Sequence, residues 1–172
     1  MNLVLIGYRG TGKSTIAQLL ADRLGWGLIS LDAEIAKKAQ RSIPEIVEQF
    51  GWDHFRQLES EICQTAAQQD HMVIDTGGGV IVREENIRAL QSQGIIFWLT
   101  ANISSISQRI GEDSQRPSLT AGKTFLEEIE EVLRDRTPKY QAAAHYTIST
   151  DTETPNILVN QILTLMNSHG SA

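Results

Sequence analysis

A chain of 172 residues is long enough for about one domain. Its 41% hydrophobic and 21% charged residues have the balance of a folded globular protein, which excludes a disordered chain. Fifteen Lys and Arg against 21 Asp and Glu leave a formal charge of −6, opposite to the basic surplus of a nucleic-acid binder, and a single cysteine excludes an internal disulfide. The longest wholly apolar run, residues 95–99, is far below the roughly 18 residues of a membrane span. With no export-type or Arg/Ser-rich leader, the expected location is cytoplasmic.

Residues 3–6 form a short apolar run ended by Gly7 and predict a buried parallel strand. Ile16, Leu19, Leu20 and Leu24 follow at helical spacing, and Gly25 closes that helix. A second strand is expected over residues 28–31, directly before Asp32. Ser42 and Glu45 have capping-box spacing and open a short helix, after which Phe55, Leu58 and Ile62 mark a longer one. The third strand, 72–74, runs into Asp75-Thr76-Gly77-Gly78-Gly79. The fourth, 95–99, precedes a helix carrying Ile103, Ile106 and Ile110. Residues 111–123 are rich in Gly, Ser and charge and read as a mobile loop. Phe125, Leu126, Ile129, Val132 and Leu133 mark another helix, with Glu127-Glu128-Ile129-Glu130-Glu131 as its solvated face. A fifth strand over 146–149 and a closing helix over 157–166 complete the chain, with 168–172 frayed. Strands alternating with helices imply an α/β chain, a mostly parallel sheet covered on both faces. No linker divides residues 1–172, which are expected to form a single domain.

Gly7-Tyr8-Arg9-Gly10-Thr11-Gly12-Lys13-Ser14 matches G-x-x-x-x-G-K-[ST] between the first strand and the first helix. Backbone N–H groups of such a loop turn inward, and the helix that follows aims its positive end at the same point. Gly10, Thr11, Gly12, Lys13, Ser14 and Thr15 are therefore the expected triphosphate-binding residues. Lys13 would neutralise the β- and γ-phosphates, and the Ser14 hydroxyl would ligate Mg²⁺. No Asn/Thr-Lys-x-Asp base-reading motif follows, which argues against a GTPase switch. A small-molecule kinase fits the length, since it needs a phosphate cradle, an acceptor pocket and a lid.

Asp32, the Phe55-Arg56 pair with Glu59, Thr76-Gly77-Gly78-Gly79, Arg116-Pro117, and Arg136 before Pro138 and Tyr140 occur in a familiar order and spacing. In these residues the chain resembles the shikimate kinases over roughly residues 2–165. The resemblance implies a three-layer α/β/α P-loop kinase fold with a five-stranded parallel sheet. It implies a lid at about 111–123 and an acceptor-binding helical region at about 33–60. The implied reaction is sequential, in-line transfer from ATP, with Mg²⁺, to the 3-hydroxyl of shikimate, by a monomer without nucleic-acid or membrane partners. Asp32 would orient the acceptor hydroxyl or take its proton, which leaves open a plain role as a helix N-cap. Arg56 and Arg136 would hold the acceptor carboxylate with two planar forks, Gly78 would contact the acceptor, and Arg116 would close over the nucleotide. Glu59 stands three residues after Arg56, where it could lock the rotamer of that arginine.

Three positions depart from the family pattern. Ser30 stands where an Asp-x-Asp pair would have its first carboxylate, and Asp75 is the expected replacement, supporting Mg²⁺ from outside its direct ligands or else capping a turn. Trp52 replaces a glutamate near the acceptor lobe, and Glu153 occupies a place where some relatives offer the adenine a basic residue. Two other readings stay open: a related kinase for another small hydroxy acid such as gluconate, and a nucleotide-binding regulator without transfer activity.

Overall fold

The computed structural model describes residues 1–111 and 125–169. Its first strand, β1 (Asn2–Ile6), is buried along its whole length. Leu3 and Leu5 point into one apolar cluster, Val4 and Ile6 into another. That two-sided burial is why β1 reads as a continuous apolar run and not as an alternation. The remaining strands are β2 (Gly27–Ser30), β3 (Met72–Asp75), β4 (Gly94–Thr100) and β5 (Tyr146–Ser149). They form one five-stranded sheet in the order β2-β3-β1-β4-β5, and all four pairings are parallel. The expected α/β fold with a five-stranded parallel sheet is therefore present.

Helices cover both faces. On one side α1 (Lys13–Leu24) and α7 (Pro155–His169) pack Ile16, Leu20, Leu158 and Ile162 against Leu3, Leu5 and Phe97. On the other, α3 (Ile43–Ala67), α4 (Glu84–Gln93) and α6 (Phe125–Ala143) bring Cys63, Leu90 and Tyr140 onto Val4, Ile6 and Ile96. The expected capping box is formed: Ser42 N–H donates to Glu45 at 2.8 Å, and Glu45 N–H donates to the Ser42 hydroxyl at 3.4 Å. Gly51, at φ 83°, breaks α3 into the two helical stretches that the sequence predicts. Gly25 ends α1 in the left-handed conformation.

Several expectations need correction. The helix α2 (Leu31–Ala39) starts where the second strand was expected to continue, so Leu31 is its first residue. Its N-cap is Ser30, whose hydroxyl accepts the Ala33 N–H at 3.4 Å, and not Asp32, which lies inside the first turn. The helix α4 and a short 3₁₀ turn at Val80–Val82 are further elements beyond those the sequence pattern predicts. The run 127–131 is not simply a solvated face: Glu128 and Ile129 are buried. The helix α7 continues through Ser168 to His169 where fraying was expected. Helix α5 (Ile103–Gly111) follows β4.

Candidate active site

The phosphate loop joins β1 to α1, with Gly10 and Gly12 at φ 77° and 85°. Gly12 caps α1 without a side chain, and the first turn contains no acidic residue. The positive end of α1 is thus left for an external anion. The Lys13 ammonium donates to the carbonyls of Gly7 and Tyr8 at 2.9 and 3.0 Å, which holds it along the loop. Thr11 is turned inward, its hydroxyl on the Tyr8 carbonyl at 2.8 Å, so its side chain braces the loop. Gly10, Gly12, Lys13, Ser14 and Thr15 line an open cavity shared with Ser30, Asp32, Asp75 and Arg109. Arg109 donates to the Gly10 carbonyl at 3.2 Å and to the Thr150 carbonyl at 2.8 Å, tying α5 to the loop.

Asp75 ends β3, the strand beside β1, in register with Leu5. Its carboxylate accepts the Ser14 hydroxyl proton at 2.6 Å. With that proton committed, the oxygen of Ser14, which lines the cavity, is left to act as an acceptor or ligand. A hydroxyl, an adjacent carboxylate and room for phosphate oxygens form the hard-oxygen donor set that suits Mg²⁺. Ser14 would hold the ion and Asp75 would orient Ser14.

A second cavity opens beside the first. Its lining combines the apolar side chains of Tyr8, Ile43, Trp52 and Phe55 with the cations Arg9, Arg56 and Arg136. Asp32, Arg56, Gly78 and Arg136, which lie far apart in sequence, all line it. Arg56 is pinned on α3 by Glu59, with Nη1 to Oε2 at 2.6 Å and side-chain exposures of 12% and 1%. Burial raises the Glu59 carboxyl above the ordinary range against the opposing pull of Arg56. The Trp52 ring lies 5.6 Å from the Arg56 guanidinium and meets Phe55 edge-on, so the departure at this position adds a cation–π wall.

The glycine turn after β3 serves this packing. A Cβ on Gly77 would lie 2.8 Å from the Asp32 carboxylate, and one on Gly79 would occupy the space of the Arg56 guanidinium. The Gly78 carbonyl accepts from Arg136 Nη1 at 3.1 Å. Asp32 and Arg9 line both cavities, so the two meet at those side chains. Arg9 carries no signal in the sequence beyond its place within the phosphate loop. Arg116 and the expected lid fall in 112–124, outside the described residues apart from Gly111.

Comparisons with known proteins point to one family. The family described as Shikimate kinase matches residues 9–167. A shikimate kinase of Nitratidesulfovibrio vulgaris is 39% identical over 150 residues, covering 86% of this chain and 85% of that protein. Shikimate kinase 2 of Yersinia pestis is 38% identical over 167 residues, covering 95% and 94%. The structure of a shikimate kinase from Acinetobacter baumannii in complex with shikimate superposes with a TM-score of 0.92 at 33% identity, covering 98% of this chain and 93% of that one. With its phosphate loop, bipartite cleft and these relatives over nearly all its length, the chain belongs to the shikimate kinase family.

Proposed function

We propose that this chain is an ATP-dependent kinase that phosphorylates the 3-hydroxyl of shikimate, giving ADP and 3-phosphoshikimate on the route to chorismate and the aromatic amino acids. The observation that carries the reading is the shared lining: Asp32 borders both the phosphate-loop cavity and the arginine-walled cavity. A hydroxyl presented to Asp32 from the second cavity faces a terminal phosphate held in the first.

In that step the acceptor oxygen forms a bond to the γ-phosphorus as the bond to the β–γ bridging oxygen breaks. The hydroxyl proton passes to the Asp32 carboxylate, and ADP leaves with the electron pair of the broken bond. Mg²⁺, when bound, neutralises charge on the phosphate oxygens. Lys13 and the loop N–H groups hold the phosphates, and Arg56 and Arg136 hold the acceptor carboxylate. Gly78 contributes backbone beside the acceptor, and Arg116 is proposed to reach the nucleotide. Most of the gain comes from placing two reactants in line. The apolar side chains suit the ring of a small carbocyclic acid, and the arginines suit its carboxylate.

The reading includes a cytoplasmic monomer with ATP and Mg²⁺ as its small-molecule partners. Among the described residues no helix is long and apolar enough to cross a membrane. The direct test mixes purified protein with ATP, Mg²⁺ and shikimate and follows ADP release, with gluconate and nucleoside monophosphates as controls. Release that requires shikimate is expected. Release driven equally by gluconate, or independent of any acceptor, would overturn the assignment.

A further inference from the structure

We propose that Tyr140 is a positioning residue for acceptor binding, holding the peptide between Gly78 and Gly79 so that its N–H is presented to the arginine-walled cavity. The inference rests on the acceptor reading given above. Two donors from α6 converge on one oxygen: the Tyr140 hydroxyl and Arg136 Nη1 both donate to the Gly78 carbonyl. They stand four residues apart, one turn of the same helical face. A trans peptide directs its N–H opposite to its carbonyl. Anchoring the oxygen on α6 therefore turns the Gly79 N–H away from that helix. Gly78 and Gly79 both line the acceptor cavity, and the Arg56 guanidinium packs against Gly79.

Tyr140 is built to hold one position. It is fully buried, and its ring stacks on Trp98 with centroids 5.7 Å apart at an interplanar angle of 16°. Swinging the hydroxyl off Gly78 would break that stack. Burial pushes the phenol up to about 12, so it stays protonated and remains a donor through the neutral range. The same carbonyl restrains one nitrogen of Arg136, which leaves the rest of that fork beside the cavity. Without the tyrosine hydroxyl, the peptide and Arg136 would be free to reorient together.

Steady-state kinetics of Tyr140→Phe test this, because the variant keeps the ring and removes only the donor. Shikimate KM should rise about tenfold while ATP KM stays within about twofold. A merely structural loss would move both constants or neither, and either result would overturn the proposal. Arg136→Lys combined with Tyr140→Phe should raise shikimate KM less than the product of the single effects, since both act on one carbonyl. Strictly multiplicative effects would count against it. A crystal structure of the unmodified chain with shikimate gives an answer that does not depend on a variant folding. Tyr140 is expected to remain on the Gly78 carbonyl with the Gly79 N–H within hydrogen-bond reach of the acceptor; a flipped peptide would sink the idea. If the unmodified chain shows no shikimate-dependent turnover, the acceptor reading falls and takes this inference with it. If it turns over normally and the variant's constants are unchanged, only the role of Tyr140 falls.

Discussion

Asp75 accepts the Ser14 proton at 2.6 Å while ending the strand next to β1, and that direction of donation governs how Ser14 can meet a cation. Were the hydroxyl free to rotate, part of its population would aim the proton at the ion. Asp75→Ala should therefore raise the Mg²⁺ concentration for half-maximal turnover by about tenfold, with shikimate KM little changed. A Mg²⁺ titration that overlays the unmodified protein would show that Asp75 only ends its strand. Gly79 answers a different need. Its missing side chain is the space in which the Arg56 guanidinium lies, between Glu59 and Trp52. Gly79→Ala would displace that guanidinium and leave the Glu59 carboxylate, 1% exposed, without its cation. Shikimate KM should rise by at least about tenfold, and the thermal midpoint should fall as well, because a buried carboxylate loses its partner. Wild-type affinity in this variant would mean that Arg56 binds the acceptor from another rotamer.

At the level of elements, what was legible followed from how much apolar surface each one buries. The strands β1 and β4 are buried on both faces and could be read as apolar runs, whereas α2 buries only Leu31 and Ile35 and α4 little beyond Asn86 and Leu90. One or two buried apolar anchors are too few to show a helical period in sequence. Ser30 hid α2 further by serving as both the last residue of β2 and the N-cap of the next helix, with no loop between. The β4–β5 edge contains a similar economy. The His145 backbone N–H donates to the Ile96 carbonyl at 2.9 Å, and its ring Nδ1 accepts the Ile96 N–H at 2.9 Å. Only an unprotonated Nδ1 can accept. Burial, with His169 nearby, lowers the His145 pKa from 6.5. A lowered folded pKa means that the unfolded chain binds the proton more readily. The stabilisation is thus complete above about pH 6.5 and lost as pH falls through the depressed folded value. Because the ring is largely exposed, the effect should be small, about 2 °C or less in thermal midpoint between pH 7 and pH 5. His145→Asn keeps an acceptor that does not titrate, so its midpoint should fall less over the same interval. Parallel pH profiles for the two proteins would remove His145 from the account.

For the whole molecule, the sheet order places β1 between β3 and β4, so the carboxyl ends of β1, β2 and β3 open together into one crevice. Arg9 in that crevice reaches across 119 residues of sequence to Glu128 on α6, with Nη2 to Oε1 at 3.0 Å and exposures of 13% and 4%. Sequence pattern could not reveal this pair. Four glutamates around one isoleucine match a solvated helix face, and only the fold brings the Arg9 guanidinium onto Glu128. The bridge joins the phosphate loop to the helix that carries Arg136 and Tyr140, so it links the donor and acceptor sides of the cleft. Removing one member leaves the other charge poorly hydrated. Glu128→Ala should lower the thermal midpoint by about 5–10 °C, a loss of about 3 kcal/mol in a chain of this size. Replacing both members with apolar residues of similar volume, Arg9→Met with Glu128→Leu, removes the charges together and should recover most of that midpoint. Activity should not recover with it, because Arg9 borders both cavities and methionine supplies no positive charge at their junction. Measured side by side, the single and double variants separate the two roles of the pair. Turnover that returned together with stability would make the bridge a structural strut and nothing more.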